Sequence, residues 1–419
     1  MRLLFISNLY PPHHLGGYEQ LCHEVATHLM ARGHQITVLT STFLVPGRQT
    51  GEEPAVRRTL RLASNVYYYK PQQLLGYRSD TSANLRAVQD TLAETKPDAV
   101  VIWGMWNLSP LVAVEAERIA GSKVAYYFAN EWPIEPSAHE AYWEEDAGST
   151  AGRLFKSTAR APVRNVLNDE WRPYKLRFEH PIACSLAVRD HLVKAGVPVQ
   201  HAEIIYHGID PTPYRQAAAE RPQHEPDGAM KVVFVGSLLP QKGVHTAVEA
   251  IGRLAQDGFD VPVSLGILGA GHPDYEQHLH QLVQDWHIQD RITFHTPIER
   301  AKLPAFLAQY DVLAMPSIWE EPQARISQEA MAAGLVLVGT LTGGSKEILI
   351  DGQNGLAFKP EDAQELAEQL KILAKDSALR LRLTAAGWQT VNERFTISRM
   401  LDQLEAYLAT VAAQQRVTA

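Results

Sequence analysis

Leu3, Leu4, Phe5 and Ile6 form the first of a series of short apolar runs, and a run of that length between polar flanks predicts a buried strand over 2–8. Residues 11–17 read as a loop bearing proline and glycine. Over 18–32 the apolar positions fall at Leu21, Val25 and Leu29, a spacing of four that lines one helical face. Gly33 stops that helix. Strand-like runs recur at 35–40, 98–103, 123–129, 181–185 and 202–206, with helical segments between several of them. This alternation predicts a parallel, doubly wound α/β sheet.

Residues 216–229 lack apolar periodicity and carry Pro222 and Pro226, which predicts a linker. The strand rhythm then restarts at 231–236 and repeats at 263–268, 292–295, 311–315 and 335–339. Three amphipathic stretches, at 361–374, 377–393 and 397–412, close the chain. The expected organisation is one Rossmann-like domain over 1–215, the linker over 216–229, a second Rossmann-like domain over 230–395, and a last segment, 396–419, packing back on the first domain.

Composition narrows this reading. A chain of 419 residues exceeds what one core usually carries. With 45% hydrophobic and 21% charged residues it is not a disordered sequence. Lys+Arg 39 against Asp+Glu 47 gives a net charge of -8, so no positive field draws the chain onto nucleic acid. Cys22 and Cys184 lie far apart and fit no zinc spacing; reduced thiols point to a cytoplasmic protein. The first apolar run has no small-residue cleavage site behind it and reads as a strand, not a signal peptide. No stretch reaches the ~18 apolar residues of a membrane span, so contact with a membrane would be peripheral, at its inner face.

Open parallel sheets bind ligands beyond the carboxyl ends of their strands, and two such sheets facing each other would form a ligand cleft. Gly16-Gly17 follows the first strand's loop and opens a helix, where bare backbone N–H groups favour an anion; a flexible turn is the plainer reading. Gly236-Ser237-Leu238-Leu239-Pro240-Gln241-Lys242-Gly243 holds the same place in the second half. Lys242 there is either a solvated charge or a cation for a phosphate. The most specific segment runs from Pro316 to Gly334. It puts Glu321 in the loop after a strand and Glu329, with seven residues between them, in the next helix. One carboxylate can face a sugar while the other accepts a ribose diol, and the N–H groups around Ala324 to Ile326 open that helix toward the same anion.

Taken together these motifs resemble glycosyltransferase family 4. They are the glycine pair, Gly-Ser-Leu-x-x-x-Lys-Gly, the two glutamates ending in Glu-Ala-Met-Ala-x-Gly, Gly343-Gly344-x-x-Glu347-Ile348, and Asn354-Gly355. The likeness spans nearly the whole chain and is strongest over 231–358. It implies a retaining enzyme dependent on a nucleotide sugar, with two Rossmann-like domains facing across a cleft, the glycosyltransferase B-type fold. The first domain would be the acceptor side and the second would bind the donor. The resemblance implies that Lys242 meets the donor diphosphate, that Glu329 holds the ribose, and that Glu321 lies beside the donor sugar as the catalytic partner of Lys242. Gly16 and Gly17 would close on phosphates and sugar. Gly236, Ser237, Gly269, Ile298, Gln323, Ala324, Arg325 and Ile326 would complete the donor site, and Asn130, Glu131 and Trp132 would border the acceptor.

The chain departs from the family in three places. Ser237 stands where arginine is usual, with Arg325 as a candidate substitute. Gln323-Ala324 replaces Phe-Gly. Asn130 stands where a His or Asp is often found near the acceptor, and asparagine is no general base.

Other signals fall away. Gly269-Ala270-Gly271 resembles a dinucleotide fingerprint, but the sixth position is Asp274, so a dehydrogenase is not expected. With no Asp-x-Asp and no His-Glu-x-x-His, neither a metal nor a resident cofactor is expected; the nucleoside diphosphate sugar is a co-substrate. Over 131–180 the charges segregate, acidic from Glu131 to Asp146 and then basic. On a helix over 151–166 Arg153, Lys156, Arg160 and Arg164 share a face, flanked by Trp143, Trp171 and Tyr174. That face is either solvated or a surface for a phosphate-bearing or lipid-linked acceptor or for anionic lipid.

The expectation is a metal-independent hexosyltransferase that moves a sugar from a UDP-linked donor to a hydroxyl of a glycan, small-molecule or lipid-linked acceptor by a front-face mechanism. The alternatives are a nucleotide-sugar epimerase of the same fold and a nucleotide-sugar-binding protein with little or no transfer.

Overall fold

A computed structural model describes residues 1–51, 53–66, 69–145, 149–167, 176–220 and 229–413. The chain divides into two compact units. One comprises Met1–Cys184, Val188–Ile205 and the described part of Leu401–Ala419; the other comprises Ser185–Ala187 and Tyr206–Met400.

The first unit is built on seven parallel strands: β1 (Arg2–Ser7), β2 (Gln35–Ser41), β3 (Val56–Leu60), β4 (Ala99–Gly104), β5 (Val124–Phe128), β6 (His180–Ala183) and β7 (Glu203–Ile204). Their order is β3-β2-β1-β4-β5-β6-β7. Leu3 of β1 sits opposite Ile36 on one side and Ala99 on the other. The central strands read as unbroken apolar runs because both faces of a parallel sheet are covered; every residue of β4 and β5 is buried. β3 is an edge strand carrying Arg57 and Arg58, and that polarity hides it from apolar patterning.

The second unit repeats the plan with six parallel strands: β8 (Met230–Val235), β9 (Val263–Leu268), β10 (Ile292–His295), β11 (Val312–Met315), β12 (Val336–Thr340) and β13 (Gly355–Phe358). Their order is β10-β9-β8-β11-β12-β13. One side of the sheet packs on the helices Val244–Gln256 and Ala363–Lys375, and the other on Arg325–Ala332 and its neighbours. In each sheet the strand order reverses beside the first strand, at β1/β4 and at β8/β11. Ligands of such sheets bind outside the carboxyl ends at that reversal.

Two expected boundaries shift. The linker expected over 216–229 begins inside a helix, Thr212–Ala219, whose Tyr214 is buried; an alanine run there supplies helix propensity that outweighs the missing apolar period. Residues 221–228 lie outside the described set. The second unit starts at Tyr206, ahead of that helix. The last helix, Ile397–Ala413, contributes its residues from Leu401 onward to the first unit. There Arg32 pairs with Asp402 and Glu405, and His34 meets Glu405.

Glycines set the second unit's rim. Gly236 N–H donates to the Leu268 carbonyl and Leu238 N–H to that of Ala270, each at 3.0 Å, so pairing runs on past β8 and β9. A Cβ on Gly269 would lie 1.9 Å from the Gly236 carbonyl oxygen. Gly269→Ala should therefore cost about 2 kcal/mol or more in urea unfolding. Gly17→Ala, whose Cβ would meet nothing within 4 Å, should change stability by no more than about 1 kcal/mol; equal effects would show that the close approach is not the constraint.

Candidate active site

In the second unit the loops after β8 and β11 are locked together. Gly243 adopts φ +66, and a Cβ there would lie 1.9 Å from the Pro316 carbonyl oxygen, so only glycine lets this turn approach so closely. Ile318 N–H donates to the Gln241 carbonyl at 2.9 Å. The turn thereby delivers Lys242, whose Nζ lies 2.6 Å from Glu321 Oε1 and 5.0 Å from the centre of the Trp319 ring. Ser317 Oγ donates to the same Glu321 oxygen at 2.5 Å. Glu321 is only 4% exposed, and a buried carboxylate persists in charged form when a cation and hydrogen bonds compensate it.

The backbone of Glu321 is held as firmly. Gly344 N–H donates to its carbonyl at 2.6 Å. Gly343, at φ +50, would place a Cβ 2.6 Å from the Glu321 nitrogen. This gives the Gly343-Gly344 motif a packing reason. Glu329 sits in the helix Arg325–Ala332, is 2% exposed and pairs with Arg300 of the turn that follows β10. Both acidic residues are therefore buried, each against a cation.

The remaining residues expected at the donor divide. Gln323 is buried, and its Oε1 accepts the His207 N–H at 2.6 Å. Arg325 Nη2 donates to the Gly208 carbonyl at 3.4 Å. Burial, aided by the Arg325 charge, pushes the His207 imidazole down to about 3, which keeps it neutral. Ala324 caps its helix without a side-chain bond, and Ala324, Ile326 and Ile298 pack against the unit's core. Ser237 is exposed, and Gly236 and Gly269 meet backbone to backbone.

In the first unit Gly16 precedes the helix Gly17–Ala31, and its N–H donates to Glu19 Oε2 at 2.9 Å. Tyr18 OH donates to Asn8 Oδ1 at 2.9 Å, and its carbonyl accepts Trp103 Nε1–H. The loop before them is tied by Arg58 to the carbonyls of Tyr10 and Pro11 and by Arg48 to those of Pro12 and His14. Burial raises the Glu19 carboxyl to about 7 against the opposing Gly16 N–H.

After β5, Asn130 Oδ1 is buried without a hydrogen-bond partner among the described residues. Glu131 Oε1 lies 2.7 Å from His191 Nδ1. Trp132 is buried among Tyr126, Phe128 and Phe178. The basic face over 151–166 differs from expectation. Lys156 Nζ donates to the carbonyls of Tyr142 and Glu145, and Arg160 reaches those of Trp143 and Glu144. Two of its four cations thus cap the carboxyl end of the helix Ala138–Glu144, and Trp143 is buried instead of flanking the surface. Asp146, Trp171, Arg172, Tyr174 and Lys175 lie outside the described residues. Among those described, no helix is long and apolar enough to cross a membrane.

A model described as Glycosyltransferase Family 4 matches residues 15–212, and one described as Glycosyl transferases group 1 matches 216–390. The chain belongs to glycosyltransferase family 4. Among its relatives, this family member is 24% identical over 397 residues to a glycogen synthase of Mycobacterium tuberculosis, across 94% of this chain and 91% of that one. It is 32% identical over 205 residues to a D-inositol 3-phosphate glycosyltransferase of Stackebrandtia nassauensis, covering 47% and 46%. The fold is shared with sucrose-phosphate synthase of Thermosynechococcus elongatus at TM-score 0.72, 18% identity and 98% and 99% coverage. It is also shared with Anabaena HepE in complex with UDP-glucose at 0.67, 21% and 98% and 100%.

Sequence reasoning missed Arg300 and Glu19, and it placed Ser317 in the Pro316–Gly334 segment without giving it a role. Arg300 follows a strand end, and Glu19 stands three residues after a glycine at a helix start, a capping spacing; both signals were available. Folded Glu19 holds its proton to about pH 7, whereas its ordinary value is 4.5. The native state therefore binds more protons between those values, and stability falls as pH rises through that window. Against Glu19→Gln, the wild type should lose about 3 kcal/mol between pH 4 and pH 8 in urea unfolding; a constant gap between the two proteins would remove the assignment.

Proposed function

We propose that this family member is a retaining glycosyltransferase that uses a UDP-linked sugar and needs no metal ion. The observation that carries this reading is the contact of Lys242 with buried Glu321 at 2.6 Å, beside the β8/β11 reversal where a parallel sheet receives its ligand. In this reading a donor phosphate oxygen takes Lys242, whose ammonium stabilises charge as the bond from the anomeric carbon to the diphosphate breaks. Glu321, released from the ammonium, accepts sugar hydroxyls. Glu329 accepts the ribose diol, with Arg300 orienting its carboxylate. The acceptor oxygen attacks from the face the diphosphate leaves, and its proton passes to the departing phosphate, so no general base is required at Asn130.

HepE, which shares the fold, is described with UDP and with UDP-glucose, and this supports the donor. The glycogen synthase supports transfer to an acceptor hydroxyl. Cys22 and Cys184 are buried, and no disulfide occurs among the described residues, which suits a reducing cytoplasm. Asn130 favours one second reading, a protein that holds a nucleotide sugar without transferring it; an epimerase would turn the donor over with no acceptor present.

The discriminating assay follows UDP-sugar consumption with and without a panel of acceptors, in the presence of EDTA, with the product anomer read by NMR. Transfer with retention is expected, and inversion or strict metal dependence would overturn the mechanism. Lys242→Ala should lower turnover about 10²–10³-fold. The same change leaves Glu321 buried without its cation and should cost about 3–5 kcal/mol in stability, so turnover is compared below the variant's melting temperature. Glu329→Ala should weaken UDP binding by calorimetry; unchanged affinity would remove the ribose assignment.

A further inference from the structure

The first unit holds a cavity of about 790 Å³, bordered by the segments that follow β4 and β5 and by those that precede β6 and β7. Trp106, Trp132, Ile134, Leu176 and Phe178 supply its apolar wall, and Glu135, Glu140 and Glu144 are the charged residues on it; among the described residues no lysine or arginine lines it. Two of its lining residues, Asn107 and Phe178, hold left-handed backbone conformations at φ 59 and φ 47, which non-glycine residues keep only where surroundings enforce them. Asn107 is fixed by three hydrogen bonds with Ser64. Phe178 is fixed by Glu117, a buried carboxylate that accepts the N–H groups of Arg177 and Phe178 and the Tyr126 hydroxyl. The cavity is therefore a built shape.

From this lining we infer that the cavity is a binding site for a neutral, phosphate-free polyol with an apolar face, the chemistry of a saccharide chain end. Trp106 is 38% exposed and offers an indole surface to the C–H face of a pyranose ring. Carboxylates accept hydroxyl hydrogen bonds with two oxygens each. Glu140 already spends one oxygen on the Ser137 N–H, which fixes its direction. Glu135 reaches solvent, yet the surrounding walls, aided by the charge of Glu131, raise its carboxyl above the ordinary range. A phosphate brought among these groups would meet the like charge of the wall's carboxylates. The inference rests on the transferase reading and narrows its acceptor class.

The test is calorimetric titration of the full chain, without donor, against maltotetraose, cellotetraose, mannotetraose and N-acetylchitotetraose. Glucose 6-phosphate, D-inositol 3-phosphate and glucosamine form the charged arm, with glucose and inositol as their neutral parents. At least one neutral tetrasaccharide should bind. Trp106→Ala, at a partly exposed position, and Ala195→Trp, which puts bulk into the cavity from an exposed position, should each weaken it roughly tenfold with an unchanged melting temperature. Silence of all four tetrasaccharides, tighter binding of a charged compound than of its neutral parent, or affinity indifferent to both variants would overturn the inference. Donor hydrolysis is measured on the same samples. A chain that consumes UDP-sugar but ignores the saccharides loses this site alone, whereas one that binds them and never touches the donor loses the transferase reading.

Discussion

A carboxylate sealed from water must be given its counter-charge by the protein, and in the second unit that requirement organises the rim of the sheet. Glu321 receives an ammonium and a hydroxyl on one oxygen. Ser317, the hydroxyl donor, has its own carbonyl taken by Thr340 Oγ1 at 2.6 Å, so the support runs back into β12. The positions of Gly243, Gly343 and Gly344 follow from the same need. Each removes a side chain where two backbones must touch for the carboxylate and its partner to meet. The resulting pair is neutral as a whole but divisible, a property suited to a ligand carrying both an anion and hydroxyls.

The first unit solves a different problem. Asn8, at the end of β1, lies against Gly104 at the end of β4, where a Cβ would meet Asn8 Oδ1 at 2.7 Å. Tyr18 then closes over both strand ends. The start of the helix Gly17–Ala31 is set by this packing and by Glu19, while Gly17 itself faces open space. Its residues hold a shape at the reversal of the sheet, whereas those of the second unit hold charge.

Much of this was legible in the chain because buried parallel strands are continuous apolar runs. β1, β4 and β5 announce themselves in the first unit as β8 and β11 do in the second, and counting onward from β8 and β11 reaches Lys242, Glu321 and Glu329. What escaped was what lies at edges or joins distant residues. β3 has apolar residues only at its two ends, with Arg57, Arg58 and Thr59 between them, and β13 is four residues long. Arg300 and Glu329 are 29 positions apart, a pairing that spacing alone cannot reveal. The glycines after strands were read as places for a ligand, and the structure gives several of them a packing duty. The basic run over 153–164 read as an outward face, yet Lys156 and Arg160 lean along the surface onto the last carbonyls of a neighbouring helix, which need donors.

The extension of pairing beyond β8 and β9 through Gly236, Leu238, Gly269 and Gly271 has a dynamic corollary. Segments at the mouth of a sheet ordinarily open on their own, well before the molecule unfolds. Here the Gly236 and Leu238 amides are bonded into the neighbouring strand's continuation, so they can exchange with solvent deuterium only when the sheet itself parts. Backbone at this rim is thus coupled to the opening of the strands it extends, and movement there that leaves the sheet intact falls to side chains.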